Sequence, residues 1–443
     1  MVEASRFEDW KQLSDIHRDA VIASALARAQ RIDRRLHAFV SLTSSAPIGV
    51  SARAFPYAAK DVFASPRRKP NAGLARPLNI VLGDQAEVLK RLDAAGAYCI
   101  GFTAMTELAY EPSGFNAVTD FARNPWNLDF IPGGSSSGSA AATASGAVVV
   151  SLGTDTGGSV RIPSHCCGLT GWKPTWGMVS ANGVVPLAPF LDCIGLLARS
   201  AADLGLAATA VLLGGLSFEN SIDEAVVLKD ALAAAELSVR QACQAGIDAI
   251  HASNVRLREV DGLSAIDCID KHALIVMQGE AARIHADHLN DEAIGPTLRK
   301  RLSKGLEIDN ATLIASRAAR SPLAADFVHQ ILGKSDIALL PVMPLRTPPY
   351  SEVDPSSASF SGRRLYELSR YCRFVNMLGF PAVVIPVGLD DRGLPVGLQL
   401  VGRPGQDGRL IALAMQVQKM TNWHARIPSA VHDLVSADRE LFA

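Results

Sequence analysis

Apolar positions recur at helical spacing over residues 15–40, where Ile22, Ala25 and Ala29 fall between Arg and Asp side chains. That period predicts an amphipathic helix. Phe55 to Val62 is a short apolar run interrupted by Lys60 and Asp61. Residues 84–97 read as a second helix and Tyr98 to Phe102 as a strand, an order that predicts α/β layering. Residues 132–139 form a Pro/Gly/Ser loop, a helix of small residues begins at Ala140, and Val148 to Leu152 reads as a buried strand. A second Gly-rich turn follows from Gly153 to Ser159. Residues 221–333 are polar-patterned, poor in Gly and Pro, and read as mostly helical; Leu339–Val342, Pro381–Val387 and Leu394–Val401 read as strands. Composition shifts near 215 and 335, which suggests a helical lobe inserted into one domain.

The stretch from Ile131 to Thr154 has no charged residue and is long enough to span a bilayer. It is broken by Gly133-Gly134 and Gly153. Deep burial is the better reading, and it puts the centre of the fold here.

The chain has 443 residues and a formal net charge of -1. That length can bury a large core, and the charge gives no general attraction to nucleic acid or anionic membrane. Met1 to Trp10 is charged without an apolar core, unlike a signal peptide. The 7 Cys are odd in number and lack CxxC spacing, which fits a reducing cytoplasm better than a disulfide framework.

Two motifs promise chemistry: Gly133-Gly134-Ser135-Ser136-Ser137-Gly138-Ser139 and Asp155-Thr156-Gly157-Gly158-Ser159-Val160-Arg161. Glycines beside a serine let backbone N–H groups converge on one point. Such a nest can hold an oxyanion, and a serine at its edge can attack the same carbonyl. The competing reading is a pair of flexible surface loops, although these flank an apolar strand and helix. A serine nucleophile needs a base. His165, in Ser164-His165-Cys166-Cys167, reads as a packed core residue. Lys60 lies inside an apolar run, and burial can keep a lysine neutral; its competing reading is a surface pair with Asp61. Gly134-x-Ser136-x-Gly138 formally matches a nucleophile elbow, but Pro132-Gly133 makes a poor strand end before it. His285 and His288 share a helix face, where a solvated surface is a better reading than a metal site.

Three segments resemble the amidase signature family. Asn124-Pro125-Trp126-Asn127 through Ala141 is similar to its Asn-Pro-Trp and Gly-Gly-Ser-Ser signature. Gly153 to Ser159, with Pro163, Gly168 and Gly171-Trp172-Lys173-Pro174-Thr175, continues it. Asn376, Gly379-Phe380-Pro381-Ala382 and Pro395 to Gln399 match the C-terminal strands. The resemblance implies an α/β amidase signature fold, a large central mixed β-sheet covered by helices on both faces. It implies a single domain over 1–443, with a signature core at about 55–215 and 335–415 and a divergent, helical, pocket-lining region at about 216–334. Ser159 then looks like the nucleophile, Ser135 like the bridging serine after a cis peptide, and Lys60 like the general base. Thr156, Gly157, Gly158 and Ser159 would supply oxyanion N–H groups, and Ala109 would bring backbone close to the same site. The chain departs from the pattern at Phe55, at the short basic segment Pro66-Arg67-Arg68-Lys69, and at Pro341-Val342.

The implied activity is hydrolysis of the C–N bond of a small carboxamide through an acyl-enzyme on Ser159, releasing ammonia or an amine. It needs no metal and no cofactor. The expected partner is a small-molecule amide, with no direct nucleic acid and no membrane, and a homodimer is left open. Alternatives are the glutaminase (A) subunit of a tRNA-dependent amidotransferase, a carboxylated-urea hydrolase of allophanate or carboxybiuret type, and an inactive family member kept for assembly.

Overall fold

The segment Ile337-Ala338-Leu339-Leu340-Pro341 has no polar alternation, and all its residues are buried. A strand without a polar face must be covered on both sides. This one belongs to an 11-stranded mixed sheet in the computed structural model, which describes residues 15–44, 55–212, 215–219 and 222–432. The strands are β1 (Phe39–Leu42), β2 (Pro56–Lys60), β3 (Tyr98–Thr103), β4 (Val150–Asp155), β5 (Thr170–Lys173), β6 (Cys193–Ala198), β7 (Glu224–Leu228), β8 (Arg256–Val260), β9 (Ile337–Pro341), β10 (Ala382–Leu389) and β11 (Pro395–Gly402). Their order is β1-β3-β2-β4-β6-β5-β10-β11-β9-β7-β8. The reading of Met1 to Trp10 falls outside the described residues.

The two faces separate along β10. Val383, Ile385 and Val387 pack with Leu398 of β11 against Leu204, Ile247 and Leu410, from helices Ala201–Val211, Leu237–Ala252 and Asp407–Met420. Ala382 and Val384 point the other way, against Phe374 and Ile162. Helices therefore cover both faces. Those around the site are α1 (Ser137–Ala144), α2 (Arg161–Cys167), α3 (Leu263–Ile284), α4 (Pro296–Gly305) and α5 (Arg370–Leu378).

β2 lies between β3 and β4, parallel to both, with Ala59 opposite Leu152 and Lys60 opposite Thr103. β4 then pairs antiparallel with β6. The sheet thus changes direction beside β4, and the carboxyl ends of β2 and β4 emerge side by side, a usual place for a site in α/β sheets. Lys60 ends β2 and Asp155 ends β4. Residues 131–154 are buried throughout except Gly146, and no helix among the described residues is long and apolar enough to cross a membrane.

Some expectations need correction: the small-residue helix starts at Ser137, inside the segment read as a loop, and the strand read over Val148–Leu152 runs from Val150 to Asp155, into the segment read as a turn. The helix read over 15–40 ends at Leu36, because His37 takes a positive φ of 49 and the chain enters β1. The region read as mostly helical over 221–333 also contains β7 and β8. β8 is a sheet-edge strand whose Arg256 and Glu259 are exposed, so its polar pattern hides it among helices. β5 and β6 are further strands outside the expected set, although β6 is a continuous apolar run.

Candidate active site

Lys60 is fully buried. Its Nζ donates to Ser135 Oγ at 2.7 Å and to Thr154 Oγ1 at 2.7 Å. Burial disfavours the charged amine; Asp155 and Asp192 pull the other way; the balance brings Lys60 down to about 7. Asp61 does not pair with it: Arg68 Nε donates to Asp61 Oδ1 at 3.2 Å, and the Asn71 backbone donates to Oδ2 at 3.1 Å. The surface Lys60–Asp61 pair is therefore excluded.

Ser135 follows a cis Gly134–Ser135 peptide and precedes α1. A Cβ at Gly134 would stand 2.5 Å from the Gly114 backbone nitrogen, so only glycine fits. The Ser136 backbone donates to the Ser159 carbonyl at 3.3 Å, holding the two serine loops together. Ser136 itself is fully buried and donates to the Thr154 carbonyl at 3.3 Å, so its hydroxyl is turned inward and does not act as an elbow nucleophile would.

Beneath the Thr156–Ser159 turn lies a buried ion pair. Arg161 Nη2 donates to Asp155 Oδ1 at 2.9 Å and its Nε to Oδ2 at 3.0 Å. Asn376 of α5 and Gln399 of β11 each accept one further Arg161 N–H, at 2.6 and 3.1 Å. Burial alone would push the Asp155 carboxyl up, but Arg161 and these hydrogen bonds outweigh it and hold it well below the usual carboxylate range. Asp155 also accepts the Gly158 backbone N–H at 2.8 Å. Gly158 has φ 122, and a Cβ there would stand 2.7 Å from the Cys372 side chain. Its N–H is thus committed to Asp155 rather than open to the cavity. The N–H groups of Thr156, Gly157 and Ser159 donate to no protein acceptor among the described residues.

Ser159 opens onto a cavity whose wall also contains Ala109, Thr156 and Gly157. Met277 of α3, Arg301 of α4 and Arg373 of α5 also line it, so the divergent region 216–334 does reach the cavity. Ala109 has φ 61, and its N–H donates to the Thr106 carbonyl at 3.0 Å.

His165 is excluded as a base. It is fully buried, its Nδ1 accepts the Gly397 backbone N–H at 3.0 Å, and burial pushes it down to about 4. His285 and His288 have ring centroids 6.4 Å apart, and among the described residues no group of three His, Cys, Asp or Glu is arranged to hold a metal.

Two neighbours escaped sequence reasoning. Thr154 shares Lys60 with Ser135. Asp192 accepts the Thr156 hydroxyl at 2.6 Å and the Leu187 backbone at 3.0 Å. The signal for Asp192 was present: it is the one charged residue between Val184 and Ala198, the same mark that singled out Lys60.

Lys60 Nζ thus reaches Ser135, and the neighbouring loop, tied to it by the Ser136 N–H, sets Ser159 on the cavity wall. The sequence profile of the Amidase family matches residues 19–214 and 216–411, and the chain belongs to this family. It is 30% identical over 449 residues to the A-type subunit of a glutamyl-tRNA(Gln) amidotransferase from Roseiflexus sp., covering 91% of this chain and 88% of that one. The corresponding protein of Nitrosococcus oceani is 28% identical, with coverage of 91% and 94%. Among solved structures, a crystal structure of an amidase superposes with a TM-score of 0.83 at 29% identity, covering 94% of this chain and 99% of that one. The A-type subunit of the Thermotoga maritima glutamyl-tRNA(Gln) amidotransferase superposes with a TM-score of 0.84 at 24% identity, covering 97% and 99%, a likeness of fold.

Proposed function

We propose that the chain hydrolyses an amide C–N bond with Ser159 as nucleophile, Ser135 as proton bridge and Lys60 as base. The observation that carries this reading is the 2.7 Å hydrogen bond from a fully buried Lys60 to Ser135, with Ser159 on the wall of the adjoining cavity. Neutral Lys60 takes the Ser135 proton as Ser135 takes that of Ser159. The Ser159 oxygen bonds to the amide carbon, and the carbonyl electrons move to oxygen. The Thr156, Gly157 and Ser159 N–H groups receive that oxyanion; loss of one such donor elsewhere costs about 3 kcal/mol. The proton returns through Ser135 to the nitrogen, the C–N bond breaks, and ammonia or an amine departs. Water then attacks the ester by the same relay and releases the acid.

For the substrate, the named relatives favour the glutaminase role over a free small carboxamide. Amidotransferase subunits of the A type match about nine-tenths of this chain. In that role glutamine loses its amide and partner subunits receive the ammonia. The test is ammonia release by the isolated chain from glutamine and from neutral carboxamides, repeated with amidotransferase partner subunits added. Glutamine turnover that rises with the partners supports the glutaminase reading. Turnover of neutral amides without partners returns the assignment to a stand-alone amidase. No ammonia from any amide sinks both.

A further inference from the structure

A second cavity adjoins the one beside Ser159, since Ala109, Thr156 and Leu187 line both. The first has room of about 40 Å³ and the second of about 170 Å³. One water needs on the order of 10–15 Å³ on that scale, so the second chamber accommodates a group of several heavy atoms. Its mouth lies at Ala181, Asn182 and Pro189, all exposed. Its inner wall is mostly apolar, with Val184, Val185 and Ile194 buried.

Two polar side chains face this chamber. Thr154 lines it, and its Oγ1 is the second acceptor of Lys60 Nζ at 2.7 Å. Asp192 also lines it and keeps accessible surface. The Thr156 hydroxyl donates to Asp192 Oδ1 at 2.6 Å, and the Leu187 and Ala188 N–H groups donate to Oδ2 at 3.0 and 3.1 Å. A carboxyl ringed by donors is an ionised acceptor with about four lone-pair sites, and three donors leave it able to take one more. The path of the proton then decides what the chamber receives. In the relay above, the departing nitrogen keeps the C–N electron pair and takes the proton that Ser135 hands back. That nitrogen must stand on the Ser135 side of the carbonyl, while the oxyanion turns to the N–H groups of the Thr156–Ser159 turn. Ser135 and Thr154 share Lys60 Nζ, so the Thr154 wall is the leaving-group side.

We propose that this second chamber is the subsite of the leaving group, and that it takes an alkylamine with an N–H donor at its far end, so that N-substituted amides belong to the substrate class. The alkyl chain lies against Val184, Val185 and Ile194, and Asp192 receives the distal N–H. Once free, an alkylamine holds a proton at neutral pH, as lysine does, and a carboxylate in the wall suits that cation. Ammonia fills only a small part of the same space. This rests on the amide-hydrolase reading above and deepens it by naming the leaving group.

The experiment compares butanamide, N-propylbutanamide and N-(2-aminoethyl)butanamide, which share an acyl group and differ in the leaving amine. Steady-state rates are measured for wild type, Ala181→Trp and Asp192→Asn. Apolar contact should raise wild-type kcat/KM for the N-propyl amide roughly tenfold above that for butanamide, and a hydrogen bond to a charged group should raise the aminoethyl amide roughly tenfold further. Ala181 is exposed, and its carbonyl, which accepts the Val184 N–H, survives substitution. A tryptophan there narrows the mouth, so Ala181→Trp should cancel both gains while leaving butanamide within about threefold. Asp192→Asn should bring the aminoethyl amide down to the N-propyl one, a ratio from which any common effect on Lys60 drops out. A wild type that turns over butanamide but neither substituted amide would overturn the proposal, as would equal losses on all three in Ala181→Trp. Saturation-transfer NMR of N-propylbutanamide with Ser159→Ala and with Ser159→Ala/Ala181→Trp separates the chamber from the hydrolase reading. Propyl contact in the first and not the second, without wild-type turnover of any amide, sinks hydrolysis and keeps the chamber. Turnover of butanamide with no propyl contact in Ser159→Ala does the reverse.

Discussion

The two ends of the cavity are built by different rules. At the Lys60 end the polar groups are buried and tied to one another: Lys60 to Ser135 and Thr154, Asp155 to Arg161, Arg161 to Asn376 and Gln399. Each group has its place because its partners would be left unsatisfied in a low-dielectric interior without it. At the α3–α4 end the wall is Met277 and Arg301, side chains that stand on helices and answer to the ligand space rather than to a network. On the proposed reading, chemistry is held by mutual hydrogen bonding, and selectivity by individual side chains that can change one at a time. The first end should therefore tolerate almost no substitution and the second a good deal.

The largest contrast should come from Ser159→Ala. It removes the group proposed to bond to the substrate carbon, and a loss of roughly 10⁴-fold or more in kcat is expected. Far-UV circular dichroism should stay unchanged, because the substitution removes only the hydroxyl and keeps the Ser159 carbonyl that accepts the Ser136 N–H. A variant retaining a tenth of the rate would end its assignment as nucleophile. Next comes Arg161→Met, which strands the buried Asp155 carboxylate. Breaking one side of such a pair costs about 3–5 kcal/mol, so chemical denaturation should show a destabilisation of that size and activity should fall with it. A stability loss below about 1 kcal/mol would mean that the network under the turn is dispensable. Met277→Ala, at the other end, should shift relative kcat/KM between short and bulky amides by roughly tenfold, on the scale of a few methylenes in an apolar pocket. Kinetics that change for every amide alike would blur the contrast drawn between the two ends.

The smallest effect is the most specific. Asp192 and Asp155 are the acids whose charges reach Lys60 and favour its protonated form. Asp192→Asn keeps an acceptor for the Thr156 hydroxyl but removes one of those charges. The Lys60 pKa should drop, so the acid limb of kcat/KM should move to lower pH with little change in the plateau. A limb that stays in place would mean Asp192 acts only as a clamp on Thr156.

Much of this was legible in the sequence, and the reason is physical. A glycine pair beside a serine, or a lysine among apolar residues, is unusual enough to stand out, and Gly134, Gly158 and Lys60 each sit where no other side chain has room or where burial gives the residue a use. β9 and β10 were legible because burial on both faces leaves them continuously apolar, whereas β5 and β6, at the centre of the same sheet and just as buried, were not read as strands. β8 was hidden because an edge strand with Arg256 and Glu259 looks like a polar helix. The Gly158 N–H could not be assigned from sequence, since its use depends on Asp155 turning back on its own loop. Nor could Arg301 be distinguished from Arg299, four residues after Gly295 and bonded to the Leu289 carbonyl at 2.6 Å; only the fold shows which of the two reaches the cavity.

The central claim is that burial keeps Lys60 neutral enough to act as a base near neutrality. It is tested most directly by the pH profile of kcat/KM, which reports groups of the free enzyme, for wild type and Lys60→Arg. A base must be unprotonated, so activity should fall as pH drops through about 7, the value to which burial brings Lys60. Lys60→Arg should be inactive across the range, because a guanidinium stays protonated. A wild-type acid limb near 10, the ordinary range of lysine, or a Lys60→Arg enzyme with near-normal rate and an unshifted profile, would contradict the account.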